Sequence, residues 1–359
     1  MNAKKVLFGL ESKSYEHEFD KAALKTMKAL PGFDAVVNFF LNWTFIKWHI
    51  IELQGSNFLV TRESCPELYD LIHDVADTLD VRPLPRFYTQ WGYNVNGYTT
   101  GYKEDTLLVL NSGTVDLLDE DELRYVAGHE MGHIKSGHVI YHTMGELFTS
   151  AIGQIPVASS FTTPIYYALM YWIRMSEFTA DRAGLLACQN IDAAIGAIIK
   201  MSGLPLKYFE KMDKEAFIKQ AKEFKESFSG FTDKAIKTLT IASSSHPWTV
   251  LRAAELITWY NSEEYKSLIN AETSKVCGAC GLQIPSNSTK CPYCGNEVLH
   301  SEAHCAYCGE INIFLGRFKY YAKRIFDKQY LFPKSQAFRI ILFYFRCINY
   351  ISWINESLN

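Results

Sequence analysis

Two histidines four residues apart, with a glutamate directly after the first, are the side chains of this sequence best suited to chemistry. His129, Glu130 and His133 lie in the stretch HEMGH. Positions i and i+4 of a helix project from one face, so both imidazoles can reach one zinc ion. Glu130 then lies beside the metal and can take a proton from zinc-bound water, whose pKa zinc lowers to about 7. The spacing predicts a hydrolytic zinc site, although the same five letters also arise by accident on an ordinary buried helix.

The residues around this motif predict the helix that it requires. Asp119 is suited to cap a helix, and Glu122 follows three residues later, as in a capping box. Gly137 is suited to end the helix after Lys135. We therefore expect a helix over roughly 120–136, with both histidines in its last turns.

A catalytic zinc site usually has three protein ligands, so another ligand must come from elsewhere in the chain. Glu177 and Asp181 lie four residues apart and would share one helix face. Glu177 can bind the metal, and Asp181 can accept the second ring N–H of a ligand histidine and fix its tautomer. The alternative for this pair is a solvated acidic helix face.

Three blocks of the sequence together resemble the signature of metallopeptidase family 48. They are HEMGHIKSGH over 129–138, SEFTADRAG over 176–184 and SSHPWTVLR over 244–252. The stretch NGYTTG over 96–101 is similar to the substrate-side strand of the family, and the resemblance covers roughly residues 60–260. The family includes HtpX and the CAAX prenyl endopeptidases, and its members are gluzincins. The resemblance implies a zinc-dependent endopeptidase.

The resemblance also implies a role for each matching residue of the first two blocks. His129, His133 and Glu177 would hold zinc. Glu130 would be the general base and acid, and Asp181 would orient a ligand histidine.

The third block is similar to the HPxxxxR pattern of the family. His246 would stabilise the oxyanion of the tetrahedral intermediate; alternatively, it would occupy the open zinc position and hold the enzyme latent. Arg252 would lie near the site, where a structural ion pair and a catalytic role explain it equally well. We do not expect His138 and His142 to bind the metal, because both follow the predicted end of the helix.

Apolar periodicity predicts a mainly helical α+β fold, with a small antiparallel or mixed sheet beside the metal helix. An edge strand of that sheet could pair with an extended peptide substrate. Helices are expected at 15–30, 33–49, 66–80, 119–136, 163–188, 191–202, 213–229 and 248–260, and strands at about 50–61, 86–90 and 106–111.

Composition agrees with a folded enzyme of two or three domains. Of 359 residues, 48% are hydrophobic and 14% are aromatic, and the formal charge is −3. A large core is therefore possible, and a nucleic-acid partner is not expected. We expect an N-terminal helical region over 1–60, the metallopeptidase domain over 61–270, a zinc ribbon over 275–310 and a basic, aromatic helical segment over 311–359.

Membrane-spanning helices, which HtpX-like proteins carry, are not expected here. The sequence has no run of about 18 strongly apolar residues and no evident signal peptide. Residues 147–173 carry no charge, but Pro156, Pro164 and several polar residues interrupt them. We favour a helical hairpin or lid near the cleft over membrane contact for this segment. The expected location is cytoplasmic, with peripheral membrane association as the alternative.

Three CxxCG knuckles follow the peptidase region at a strict period of 14 residues. Each knuckle offers two thiolates, and two knuckles complete a tetrahedral four-cysteine zinc site. A zinc ribbon is favoured over a disulfide framework, because an intracellular context keeps thiols reduced. The knuckles are Cys277 with Cys280, Cys291 with Cys294, and Cys305 with Cys308.

Six cysteines leave one knuckle without a complete four-cysteine site. We favour pairing of the first two knuckles, because Pro285 and Asn287 between them suit a hairpin. The third knuckle would take His300 or His304, or pair with the same knuckle of another chain in a homo-oligomer. The ribbon is expected to be a structural clip or a protein-binding module, since its low lysine content argues against nucleic acid.

The segment from Ile311 onward holds eight Lys and Arg against two acidic residues, among many aromatic side chains. Such a segment suits an anionic membrane surface or a protein partner. It also suits folding back on the catalytic domain, which we favour because Arg339 and Arg346 interrupt its apolar run at near-helical spacing.

The function expected from all these features is zinc-dependent hydrolysis of peptide bonds in proteins or peptides. One alternative is a noncatalytic scaffold that acts through its ribbon, but the presence of every chemical residue argues against it. A second is an enzyme held latent by His246, by the 147–173 hairpin or by the C-terminal segment. A third is a membrane-peripheral quality-control protease.

Overall fold

The chain divides into two compact units, Met1–Thr273 and Ser274–Asn359. The structure is a computed structural model, and it describes residues 4–41, 44–102, 105–151, 162–227, 248–271, 274–277, 279–280, 283–285 and 288–297. His246, the third cysteine knuckle and the segment 311–359 lie outside these residues. The expectations for those parts of the chain stay predictions.

The first unit is mainly helical and carries one small sheet, in agreement with the expected α+β class. A short 3-10 helix, Ser12–Ser14, precedes the first α-helix. The elements follow in the order α1 (Glu18–Lys28), α2 (Phe33–Leu41), α3 (Thr44–Ser56), β1 (Phe58–Leu59), α4 (Pro66–Thr78), β2 (Arg86–Gln90), β3 (Gly97–Tyr102), β4 (Asp105–Asn111), α5 (Ser112–Leu117), α6 (Glu120–Lys135), α7 (Val139–Ala151), α8 (Thr162–Cys188), α9 (Ile191–Met201), α10 (Leu206–Phe209), α11 (Lys214–Ser227), α12 (Thr249–Tyr260) and α13 (Glu263–Asn270).

The sheet is mixed, with strand order β1-β2-β4-β3. β2 and β4 are parallel, whereas β1 and β3 are antiparallel to their neighbours. One face, which includes Leu108 and Leu110, packs into a core shared with α4, α6, α8, α9 and α12. Among the described strands, β3 has a neighbour on one side only, so it is an edge strand.

The strand predicted over 50–61 is wrong for most of its length. Helix α3 continues through Ser56, and β1 contains two residues. Ile50 and Leu53, three residues apart, lie on one side of the helix and pack over the outer face of the sheet. Burial of this helical face outweighs the preference of adjacent isoleucines for a strand.

Helix α6 begins as the sequence predicts. The Asp119 carboxylate accepts from the N–H of Glu122 at 2.9 Å, and the Glu122 carboxylate accepts from the N–H of Asp119 at 2.8 Å. Gly137 turns the chain beyond the last residue with a φ of 71°. Helix α7 then begins at Val139. The sequence did not predict this helix, because the glycine that ends α6 lies only two residues before it.

The uncharged segment 147–173 is helical at both ends. α7 extends into it as far as Ala151, and α8 begins at Thr162; residues 152–161 lie outside the described part of the chain. Within the described residues, no helix combines the length and the apolar character needed to cross a membrane.

The second unit contains a small antiparallel sheet of two strands. β5 (Ser274–Val276) pairs with β6 (Gln283–Pro285), and Lys275 lies opposite Ile284. Ile284 is buried together with three cysteines, so this unit has a small core of its own. The described hairpin lies within the region expected to form a zinc ribbon.

Candidate metal centre

Helices α6 and α8 approach each other closely through small residues. Gly128 and Gly132 of α6 face Ala187 and Ala183 of α8. A Cβ atom at Gly132 would lie 2.5 Å from the Cβ of Ala183, and one at Gly128 would lie 2.3 Å from the Cβ of Ala187. Real Cβ atoms do not approach so closely. The two glycines therefore allow the side chains of α8 to reach the metal motif on α6.

Three potential ligand residues meet between these helices, and each histidine faces a different oxygen of the Glu177 carboxylate. His129 Nε2 lies 3.3 Å from His133 Nε2 and 3.4 Å from Glu177 Oε2, and His133 Nε2 lies 3.3 Å from Glu177 Oε1. All three side chains are buried. Bonds of about 2.05 Å in a tetrahedron around zinc would separate two ligand atoms by about 3.3 Å. The donor types and their spacing therefore fit a zinc ion.

Asp181 binds the first histidine from the side opposite the ligand atoms. Its Oδ1 lies 3.0 Å from His129 Nδ1 and accepts the Tyr125 hydroxyl at 2.7 Å. Arg252 donates to both oxygens of Asp181, at 2.6 and 2.8 Å, and its Nη1 lies 3.5 Å from Glu177. A carboxylate only accepts, so the neutral form of His129 carries its proton on Nδ1 and presents the lone pair of Nε2 to the metal position.

A different set of groups surrounds the second histidine. His133 Nδ1 lies 3.0 Å from His138 Nδ1, and His138 Nε2 lies 3.1 Å from Asp20 Oδ2. His142 is also close, since its ring centre is 4.4 Å from that of His133 and its Nε2 lies 2.8 Å from Ser176 Oγ. His133, His138 and His142 thus form a second cluster of potential ligand atoms that shares one histidine with the first.

Burial and neighbouring charges act differently on the two ligand histidines. Burial disfavours the charged form of His129, but Asp181 and Glu177 raise its pKa to about 10. For His133, burial outweighs the effect of Glu177 and lowers the pKa to about 4. Burial also disfavours the charge of Asp181, yet Arg252 and His129 hold the pKa of its carboxyl well below its usual range. The pocket therefore attracts a cation, which a proton on His129 or a metal ion can supply.

Glu130 lies against the beginning of the edge strand. Its side chain is buried. A Cβ atom on Gly97 would lie 3.4 Å from Glu130 Cγ and 2.6 Å from Leu110 Cδ2. Further along β3, the N–H of Gly101 donates to Thr143 Oγ1 of α7 at 3.3 Å. The edge strand therefore runs from Glu130 to α7.

Sequence reasoning identified the residues of the α6 and α8 motifs, and the structure brings them together with Arg252. It overlooked Tyr125 and Asp20, and it considered His138 only as a metal ligand, not as a partner of His133. Tyr125 has a usable signal, because it lies four residues before His129 on the same helix face. Asp20 has none, because 118 residues separate it from His138.

The four cysteines of the first two knuckles form a second candidate metal site. Cys277 Sγ lies 3.8 Å from Cys294 Sγ, and Cys280 Sγ lies 3.6 Å from Cys291 Sγ. Zinc–sulfur bonds of about 2.3 Å in a tetrahedron would separate two sulfurs by about 3.8 Å. This cluster is compatible with a small zinc module.

Two histidines on one helix turn, a carboxylate between them and a third ligand from a neighbouring helix define the class of metal-dependent hydrolases that use an HExxH motif. The location of Glu130 beside an edge strand fits the same class.

More specifically, the chain belongs to peptidase family M48, whose model matches residues 63–260. It is 27% identical over 268 residues to the plastoglobule-localized metallopeptidase 48 of Arabidopsis thaliana, covering 74% of this chain and 78% of that protein. It is 31% identical over 97 residues to a protease HtpX homologue of Streptococcus gordonii, covering 27% and 32% of the two chains. An HtpX homologue of Burkholderia mallei is 24% identical over 203 residues, which cover 49% and 70%. The protein is therefore a metalloprotease, and its substrates are proteins or peptides.

Proposed function

We propose that this protein is a zinc-dependent endopeptidase whose metal ligands are His129, His133 and Glu177. One observation carries the proposal: the two Nε2 atoms are 3.3 Å apart, and each lies 3.3 to 3.4 Å from one oxygen of the Glu177 carboxylate, close to the edge length of a zinc tetrahedron. When bound, zinc supplies Lewis acidity toward a water molecule and toward the scissile carbonyl.

Glu130 performs the proton transfers of the reaction. It takes a proton from the attacking water as the new C–O bond forms, and it gives that proton to the amine as the C–N bond breaks. Its position next to Gly97 supports this role, because a peptide paired with β3 would pass near the strand end that the Glu130 side chain contacts. Asp181 and Arg252 act as positioning residues for His129.

His246 keeps the two proposed roles that the sequence supports. As an oxyanion donor, it would lower the barrier to formation of the tetrahedral intermediate. As an occupant of the open metal position, it would hold the protein latent. A His246→Ala variant distinguishes them, because loss of cleavage indicates the first role and a gain indicates the second.

The alternatives remain a noncatalytic scaffold or protein-binding protein that acts through its ribbon, a latent enzyme, and a membrane-peripheral quality-control protease. We propose 61–270 as the catalytic region and the first two cysteine knuckles as a structural zinc site. The third knuckle, Cys305 and Cys308, would complete a site with a nearby histidine or with another chain. For location, we propose a cytoplasmic protein whose segment 311–359 folds back on the catalytic domain. The alternative is peripheral association of this segment with a lipid surface, which its basic, aromatic composition also suits, and one relative is named as plastoglobule-localized.

The deciding experiment compares zinc content and cleavage of an unfolded protein in three forms of the full chain. Wild type is expected to cleave. Glu130→Gln is expected to keep its zinc and to lose at least about 100-fold in rate, because it lacks the general base. His129→Ala is expected to lose cleavage and one equivalent of zinc, while the zinc at the cysteines stays bound. Full activity of Glu130→Gln would refute the mechanism, and zinc binding without cleavage by wild type would favour the scaffold or the latent enzyme.

A further inference from the structure

The second ligand histidine, His133, is connected to the N-terminal helix by two consecutive contacts. His138 folds back onto the end of α6, because Gly137 reverses the chain and the N–H of His138 donates to the carbonyl of His133 at 2.9 Å. The two rings then meet at 3.0 Å through their Nδ1 atoms. On its far side, His138 Nε2 lies 3.1 Å from Asp20 Oδ2 in α1. All three side chains are buried.

When both histidines are neutral, the hydrogen-bond donors and acceptors along this path allow one arrangement of protons. The Asp20 carboxylate only accepts, so His138 carries a proton on Nε2. A neutral His138 then presents a lone pair at Nδ1 and accepts the Nδ1 proton of His133. His133 in that tautomer has a lone pair on Nε2, the atom that faces His129 and Glu177. The opposite tautomer of His138 would donate to His133 Nδ1 and would leave a proton on His133 Nε2, where the metal must bind.

Asp20 is held in place by two further donors. The indole Nε1–H of Trp172 donates to Oδ1 at 2.8 Å, and the hydroxyl of Thr179 donates to Oδ2 at 2.7 Å. Thr179 in turn accepts the N–H of His17 at 3.0 Å. Three donors therefore surround the two oxygens of Asp20. Because the indole can only donate, Oδ1 must stay an acceptor.

We propose that Asp20 and His138 are positioning residues that hold His133 in its metal-binding tautomer, so that α1 forms part of the metal centre. This inference rests on the proposed zinc site. Asp20 lies outside residues 63–260, which the family model matches. The N-terminal region would thus fix the tautomer of the second histidine, as Asp181 and Arg252 fix that of the first.

Asp20→Asn is the most informative variant, because the amide has one accepting and one donating end. The donating end cannot face the Trp172 indole, so it must face Thr179 and His138. His138 Nε2 accepts there only after its proton moves to Nδ1. His138 Nδ1 then donates to His133 Nδ1, and the proton of His133 must lie on Nε2. We expect zinc affinity at the His129 site to fall at least about 10-fold, as for loss of other groups that support metal ligands.

The measurement is competition for zinc between the full chain and a chromophoric chelator. The relevant zinc is the equivalent that disappears in His129→Ala, which separates it from zinc on the cysteines. His138→Asn and His138→Leu form a matched pair of similar shape. Only Asn places an oxygen where His138 Nδ1 was, so we expect Asn to restore a large part of the affinity that Leu loses. Ala23→Gly is the control, since Ala23 is buried on α1 and glycine weakens that helix without removing any group of the path, and near wild-type zinc affinity is expected.

Several results would overturn the inference. They are wild-type zinc affinity in folded Asp20→Asn, equal affinity in His138→Asn and His138→Leu, and a loss in Ala23→Gly as large as that in Asp20→Asn. The last result would mean that any disturbance of α1 weakens the site. If His129→Ala itself retains all of its zinc, the proposed metal site fails; if it loses one equivalent while the Asp20 and His138 variants do not, only this inference fails.

Discussion

Arg252 contacts both carboxylates, Glu177 and Asp181, that α8 places next to the metal motif. It is buried, and it donates to both oxygens of Asp181 while its Nη1 lies near Glu177. Arg252→Met would leave the charge of Asp181 buried without its cation, so the free energy of unfolding of the metal-free protein should fall by about 3 to 5 kcal/mol. Urea denaturation measures this loss.

Arg252→Lys is the matched variant for this prediction. It keeps the charge, but one ammonium cannot bind both oxygens of Asp181 and also lie next to Glu177. A smaller but clear loss of stability is expected. Adding Asp181→Asn to Arg252→Met should recover part of the loss, because the carboxylate that lacks a partner is then gone. If Arg252→Met unfolds at the wild-type urea concentration, the ion pair contributes nothing to stability.

Local spacing explains why some residues of the centre are predictable. His129 and His133 lie one turn apart, as do Glu177 and Asp181, and each pair must share a helix face wherever the helix lies. Asp20 differs, because only the packing of α1 on α8 brings it to His138. Nothing in the sequence around a single aspartate indicates which distant ring it will contact.

The approach of α6 and α8 depends on glycine at two helical positions. Gly132→Ala should lower the free energy of unfolding by about 1 to 3 kcal/mol, because the new methyl would overlap Ala183 and force the helices apart. The same displacement moves Glu177 away from the histidines, so zinc affinity should fall as well. Thermal unfolding and chelator competition measure the two effects.

Gly55 of α3 is the control for this substitution. A Cβ atom there would have no described atom within 4 Å. Alanine is the better helix former by up to about 1 kcal/mol, so Gly55→Ala should leave stability unchanged or raised. If both alanine variants behave alike, close packing of α6 on α8 does not control the site.

Elements were predictable where start and end signals agree with burial. The capping box of Asp119 and Glu122 and the left-handed Gly137 define the bounds of α6. For α3, the sequence alone favours a strand at its end, and the reason for helix is a tertiary one: one face covers the sheet. α7 was not predicted, because it begins two residues after Gly137, which indicates the end of a helix.

A partly exposed ion pair attaches the N-terminal segment to helix α6 of the same unit. Lys4 Nζ lies 2.8 Å from Asp121 Oδ1, and Asn190 donates to Oδ2 at 3.0 Å. Burial opposes the charge of Asp121, but these two partners hold its pKa below the ordinary value. A lowered folded-state pKa stabilises the protein above the unfolded value of about 3.9, and this stabilisation is lost as the pH falls through the folded value.

Asp121→Asn should therefore destabilise the protein by less than about 1 kcal/mol near neutral pH. The difference from wild type should shrink as the pH falls below about 4. Denaturation curves at several pH values test this, and Lys4→Met should give the same pH dependence. A difference that stays constant down to pH 3 would mean that the ion pair is not its source.

The second unit should depend on zinc, whereas the helices of the first unit should not. Cys277→Ser is expected to remove about one zinc per chain and to leave the helical circular dichroism nearly unchanged, because a four-cysteine site needs all of its thiolates. Cys188→Ala is the control: burial raises the pKa of Cys188 to about 12, so it stays a thiol and its loss should not change the zinc content. Equal zinc in wild type and Cys277→Ser would contradict a metal site at these cysteines.

The contacts of Asp181 with residues on both sides of it in the chain also affect biosynthesis. His129, His133, Glu177 and Asp181 are all translated before Arg252. Until residue 252 has emerged, a nascent chain has the metal ligands and Asp181 but lacks the guanidinium that binds both oxygens of Asp181. The full set of contacts around His129 therefore forms only after the last of these residues has left the ribosome.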